Sequence, residues 1–129
     1  MTVGTTFTLR PFTPAWWLRS GHAQTVLGKA LRGEPEAALE RERLELPDGD
    51  FIDLDFGTAP APDAPIGLVL HGLEGSSRRG YARVAYIELL RRGIRPIGMN
   101  FRSCSGEPNR TARFYHSGET EDLLFVIEH

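Results

Sequence analysis

The segment IGLVLHGLEGSSRRGY, residues 66–81, divides into a strand, a turn and the start of a helix. Ile66 to Leu70 form an apolar run interrupted only by Gly67, which reads as a parallel-sheet strand covered on both faces. The run stops at His71, and a helical pattern begins near Gly80. Between them, Gly72 and Gly75 permit backbone angles that a Cβ resists, so the N–H groups of Leu73 and Glu74 are expected to turn towards one point. Such a point suits an anion, either a phosphate or the oxyanion of an acyl-transfer intermediate.

The nucleotide reading needs Gly-x-Gly-x-x-Gly or Gly-x-x-x-x-Gly-Lys-Ser/Thr at this turn, and HGLEGSSRRG supplies neither. The oxyanion reading needs His-Gly after the third strand of a hairpin-led α/β sheet, and the chain order meets that requirement. Upstream, RERLELPDGDFIDLDF (residues 41–56) has two alternating runs around Pro47-Asp48-Gly49-Asp50, the pattern of a β-hairpin. Ile52, Leu54 and Phe56 would share one face, and Asp53 with Asp55 a solvated one. Their spacing does not match a calcium loop. Residues 57–65, GTAPAPDAP, read as a surface loop. Downstream, Tyr81, Val84, Ala85, Ile87, Leu89 and Leu90 build the apolar face of a helix over 80–92 that Gly93 stops. IRPIGMNF (residues 94–101) follows as a second parallel strand with Pro96 at its entry, completing a βαβ unit. A last helix is expected from Glu119, its acidic start suiting the positive end of the helix dipole. It runs uncapped into His129, so the sequence is expected to be truncated.

At 129 residues, 40% hydrophobic and 25% charged, the composition is that of a soluble globular domain. A net charge of −2 gives no general electrostatic reason to bind nucleic acid or an anionic membrane. Cys104 is the single cysteine and cannot form an internal disulfide. No leader-like start or apolar run of transmembrane length is present, so a cytoplasmic location is expected. Residues 1–40 read as an N-terminal extension packing on the core, with Trp16 and Trp17 buried and His22 and Gln24 fixing the segment by hydrogen bonds. Residues 41–129 form the α/β core. No cofactor or metal is expected, and the oligomeric state is left open.

Four motifs in order carry a resemblance: GHAQT at 21–25, PDGDFIDLD at 47–55, LHGLEGSS at 70–77 and NFRSCSGEPNRTARFYHSGETEDL at 100–123. Together they resemble the YheT-like family of α/β-hydrolases over nearly the whole chain. The resemblance implies the N-terminal part of an α/β-hydrolase fold, an antiparallel hairpin leading into a mostly parallel sheet flanked by helices. It also implies a serine hydrolase acting on carboxylic esters, with a small-molecule or lipid ester as substrate. On that reading Leu73 lends its backbone N–H to the oxyanion hole, and His71, Gly72, Glu74 and Gly75 are the substrate-contacting turn. Ser103 departs from the family, which usually has Gly after the arginine matched by Arg102. The larger departure is that no Gly-x-Ser-x-Gly elbow occurs, so the catalytic triad maps onto no residue. Ser77 follows Gly75 at the right distance, but Arg79 stands where the second glycine belongs. The isolated chain is therefore expected to be inactive.

Other chemistries are less well supported by the residues. Cys104 and His116 would make a thiol–imidazole pair only if they touched, and Cys104 reads better as a small structural residue. His71 is expected to brace the loop rather than to act as a base. Arg102, Arg110 and Arg113 read as loop-fixing ion pairs rather than a nucleic-acid surface. The rival from another class is a non-catalytic interaction module whose unpaired sheet edge at 66–70 joins another chain.

Overall fold

The computed structural model describes residues 11–31 and 35–129, in two compact units, 1–33 and 34–129. In the first unit, helix α1 (Gly21–Ala30) is N-capped by Ser20, whose hydroxyl accepts the Ala23 N–H. This helix was not anticipated, because two glycines in ten residues blur the period. Gln24 donates to the Leu18 carbonyl at 2.8 Å, as expected of a residue that fixes this segment. His22 is exposed, and so are Trp16 and Trp17, against the expected burial of the tryptophans.

The second unit holds a mixed four-stranded sheet of order β1-β2-β4-β3, made of β1 (Leu39–Glu45), β2 (Phe51–Gly57), β3 (Ile66–Leu70) and β4 (Arg95–Asn100). Helix α2 (Gly80–Arg91) connects β3 to β4, and α3 (Glu121–Glu128) closes the chain. β1, β2 and β4 pair antiparallel, and β3 pairs parallel to β4. The expected hairpin and βαβ unit are both present.

Alternation along β2 sorts the two faces of the sheet. On one face Leu44, Leu46, Ile52, Leu54, Ile97 and Met99 form the buried apolar core, against which Leu123, Phe125 and Val126 of α3 pack. The other face carries Asp53 and Asp55, at 2% and 0% exposure, and the expected solvated face is therefore corrected. Their charges are met across the hairpin: Arg41 forks onto Asp55 at 2.7 and 3.0 Å, and Arg43 onto Asp53 at 2.8 and 3.0 Å. Asn100 donates to the Asp53 carbonyl at 2.9 Å and to Asp55 Oδ2 at 3.1 Å, and the Ser77 hydroxyl also bonds Asp55. A buried carboxylate is tolerable only with such partners.

α2 closes on this polar face. The Tyr86 hydroxyl donates to the Ser77 carbonyl at 2.7 Å above Gly98, where an added Cβ would stand 1.9 Å from the phenolic oxygen. β3 is a second correction. Ile66 is 64% and Leu70 41% exposed, because β3 is an edge strand with a partner on one side only.

Candidate functional site

β3 and β4 run parallel, so the loops after Leu70 and after Asn100 leave the same end of the sheet. The first loop contains the glycine turn, and the second folds over it. His71 is buried and both of its ring nitrogens are engaged: Nε2 accepts the Phe101 N–H at 3.1 Å, and Nδ1 lies 2.8 Å from the Gly72 carbonyl. Nε2 being the acceptor, the proton sits on Nδ1 and is donated to Gly72. The imidazole therefore has no nitrogen left for a substrate proton, and it braces the loop as expected. Its ring meets the edges of Phe101 and Tyr115 at centroid distances of 5.1 and 6.0 Å, while Phe101 and Tyr115 stack on each other.

The turn differs in detail from the expectation. Neither Gly72 nor Gly75 has a positive φ; the left-handed residue is Glu74, at φ 53°. A Cβ at position 72 would meet nothing within 4 Å, whereas at Gly75 it would stand 2.7 Å from the Tyr81 hydroxyl and 2.8 Å from the Gly72 carbonyl oxygen. Gly75 thus serves close approach, not backbone angle. The two N–H groups expected to converge are separated as well. Glu74 donates to the Tyr115 hydroxyl at 2.7 Å, and on the other side Gly72 donates to the Tyr81 hydroxyl at 3.3 Å. Leu73, between them, finds no acceptor for its N–H among the described residues, and its side chain is 82% exposed.

Tyr81 was expected only on the apolar face of the helix, yet it is 45% exposed, and Tyr115 was given no role; together they decide which turn amide stays free. Tyr81 opens the helix after the turn and could have been found from that position. Tyr115 lies 41 residues from Glu74, and nothing local marks it.

The alternative nucleophiles are accounted for structurally. Ser77 is 1% exposed, its hydroxyl committed to Asp55 and Asn100. Cys104 is half-buried, and burial pushes its thiol up, away from the thiolate that nucleophilic chemistry needs. His116 accepts the Gly118 N–H at 3.1 Å, and no hydrogen bond joins it to Cys104. Among the described residues no group of three or more His, Cys, Asp or Glu side chains is placed to hold a metal, and no helix is long and apolar enough to cross a membrane.

The three arginines of the second loop form the expected ion pairs. Arg102, at 2% exposure, forks onto Asp122 of α3 at 2.7 Å for both bonds and reaches Asp48 and Asp50 of the hairpin turn. Arg110 pairs with Glu45, and Arg113 with Glu119 and Glu121. Asp50 also accepts from Asn109, Thr111 and the Arg110 N–H. Burial works against the Asp50 charge, but these donors outweigh it and hold its carboxyl far below the usual range.

A hairpin-led sheet, a βαβ unit and a glycine turn at the carboxyl ends of its parallel strands fit the α/β-hydrolase fold class. Comparison with known proteins narrows the class. The Escherichia coli K12 protein named "Putative esterase YheT" is 45% identical over 118 residues, 90% of this chain and 35% of its own. Human "Phospholipase ABHD3" is 32% identical over 92% of this chain and 31% of its own, and "Embryogenesis-associated protein EMB8" of Picea glauca is 27% identical over 93% and 28%. The chain is similar to YheT-like α/β-hydrolases, and it spans about a third of the length of the relatives it matches. That kinship weighs against the interaction-module reading. No family model matches. A solved fungal esterase from Rhizomucor miehei superposes on 57% of this chain and 24% of its own, at a TM-score of 0.38 and 23% identity, a partial likeness that carries no argument.

Proposed function

We propose that this chain supplies one backbone donor of the oxyanion hole of a serine carboxylesterase. The observation that carries the proposal is the Leu73 N–H, free of protein acceptors among the described residues while the N–H groups on either side are tied to tyrosine hydroxyls. A donor held in place by tied neighbours and left unfilled is pre-organised for a charge that develops only in the transition state. In the complete reaction a serine attacks the ester carbonyl, the carbonyl π electrons move onto its oxygen, and Leu73 with a second N–H stabilises that oxyanion. Collapse expels the alcohol and leaves an acyl-serine that water hydrolyses. Serine, acid and proton-carrying histidine are not identified among these residues, and His71 is not proposed for the last role because both of its nitrogens are engaged. Gly72, Glu74 and Gly75 shape the floor on which the ester rests, and His71 supports it from below. Residues 1–40 are read as an extension of the core at 41–129, and a cytoplasmic location is kept as the default reading.

Two measurements test the proposal. The 129-residue chain, incubated with a short acyl ester, should show no turnover; turnover that survives purification and disappears with a serine-directed inhibitor overturns the assignment. In a protein that joins this turn to its nucleophile, Leu73→Pro deletes the one N–H and should lower kcat by about 10²–10³-fold, while Leu73→Ala, which keeps it, should leave kcat close to the parent. Equal kcat for the two variants would sink the oxyanion role.

A further inference from the structure

One residue beyond Leu73 the turn opens into a cleft of about 450 Å³, bordered by Glu74, Arg78 and Arg79 on one side and by Arg41, Ser103 and Cys104 on the other. It lies between the two loops that leave the carboxyl ends of β3 and β4, where open α/β sheets take their ligands. Three arginines line it: Arg41, Arg78 and Arg79. Glu74 is the one carboxylate that lines it, and the buried Asp55 beneath is shared by Arg41 and Arg78. The arginines are not equally engaged. Arg41 gives its fork to Asp55 and a further N–H to the Ser105 carbonyl at 2.8 Å. Arg78 gives Asp55 a single N–H at 3.1 Å, and Arg79 makes only a 3.4 Å contact with the Glu74 carbonyl. Most donors of these last two forks are therefore available at the cleft wall.

We infer that this cleft is a subsite for an anionic group, a carboxylate or a phosphate, carried by the ester substrate. The inference rests on the ester reading only in supposing that the anion belongs to the molecule whose carbonyl reaches Leu73; the binding itself needs no nucleophile. Arg78 and Arg79 hold the anion, Arg41 keeps the floor positive, and Glu74 limits the affinity.

Calorimetric titration of the 129-residue chain at low salt tests it, with monoethyl succinate, neutral diethyl succinate and inorganic phosphate as probes. The monoester should bind at least about ten-fold more tightly than the diester and be displaced by phosphate; whichever anion binds better names the group the cleft prefers. Arg78→Gln with Arg79→Gln should weaken the monoester by about ten-fold or more, Glu74→Gln should tighten it, and Arg91→Gln at the far end of α2 should leave it unchanged. Should the double variant unfold through its link to Asp55, Arg79→Gln alone decides, since Arg79 holds no carboxylate. Equal affinity for monoester and diester, or equal affinity of the parent and the Arg79 variant, overturns the inference. Anion binding in a protein that carries its nucleophile yet never turns over an ester would instead defeat the esterase proposal and leave this subsite standing.

Discussion

Ser103 occupies φ 65°, a left-handed conformation that a side chain with Cβ adopts at a cost and glycine adopts freely. Its hydroxyl offsets the cost: it accepts the Asn109 N–H at 3.0 Å and bonds the Asn109 side-chain oxygen, while the Asn109 amide nitrogen reaches Asp50, Thr111 and Arg113. Ser103→Ala retains the strain and loses the hydroxyl, whereas Ser103→Gly loses both. Urea denaturation should therefore find Ser103→Ala less stable than Ser103→Gly by about 1 kcal/mol. The reverse order would show that the left-handed backbone at residue 103 is not a source of strain. The same loop carries Tyr115, so the conformation at residue 103 bears on the amide that stays free at residue 73.

At the scale of elements, β4 is the most constrained and β3 the least. β4 has neighbours on both sides and is buried from Pro96 to Asn100, with Gly98 pressed under the Tyr86 hydroxyl. Gly98→Ala cannot be accommodated without moving Tyr86 off the Ser77 carbonyl, and the expected destabilisation is about 3 kcal/mol by chemical denaturation. A loss under 1 kcal/mol would mean that α2 packs on the sheet more loosely than this. β3 leaves one row of its backbone groups unbonded by the sheet. Hydrogen exchange on the monomeric chain should show fast and slow amides alternating from Gly67 to Leu70, against uniform protection from Ile97 to Met99. Uniform protection in β3 would require a partner on its free edge. The hairpin, both strands of the βαβ unit and the two helices of the core were legible, because alternation, the 3.6 period and the placement of glycine and proline are local signals. The position of β3 was left between two readings, a strand covered on both faces and an unpaired edge, since an apolar run reads the same at an edge as at the centre.

For the molecule as a whole, one buried guanidinium joins three segments distant in sequence. Arg102 ties the hairpin turn, through Asp48 and Asp50, to α3, through Asp122. Arg102→Met leaves Asp50 and Asp122 buried without their cation and should cost about 3–5 kcal/mol, read from the urea midpoint. Acid should act on the same kind of linkage. Burial raises the Asp55 carboxyl, but hydrogen bonds from Arg41, Ser77, Asn100 and Arg78 win and lower it from 3.8 to about 2. A carboxyl depressed in the folded state contributes stability that is complete above the unfolded value and is lost as pH falls through the folded one. The Asp55 contribution, on the order of 2 kcal/mol, should therefore disappear between about pH 4 and pH 2. Asp55→Asn should flatten that part of the stability profile; an unchanged slope would remove Asp55 as its source.

What the sequence determined by itself was the order of elements, the glycine turn that follows β3, and the resemblance that the motifs around it carry. The pairing of Arg41 with Asp55 and of Arg43 with Asp53 was not read there, because the two aspartates were taken as solvated. The tertiary structure alone decided that those aspartates are buried, because Ser77, Asn100 and α2 arrive from elsewhere in the chain to cover them. It also decided which turn amide is free. That outcome depends on a tyrosine hydroxyl 41 residues from the N–H it holds, a distance over which no periodicity or spacing carries information.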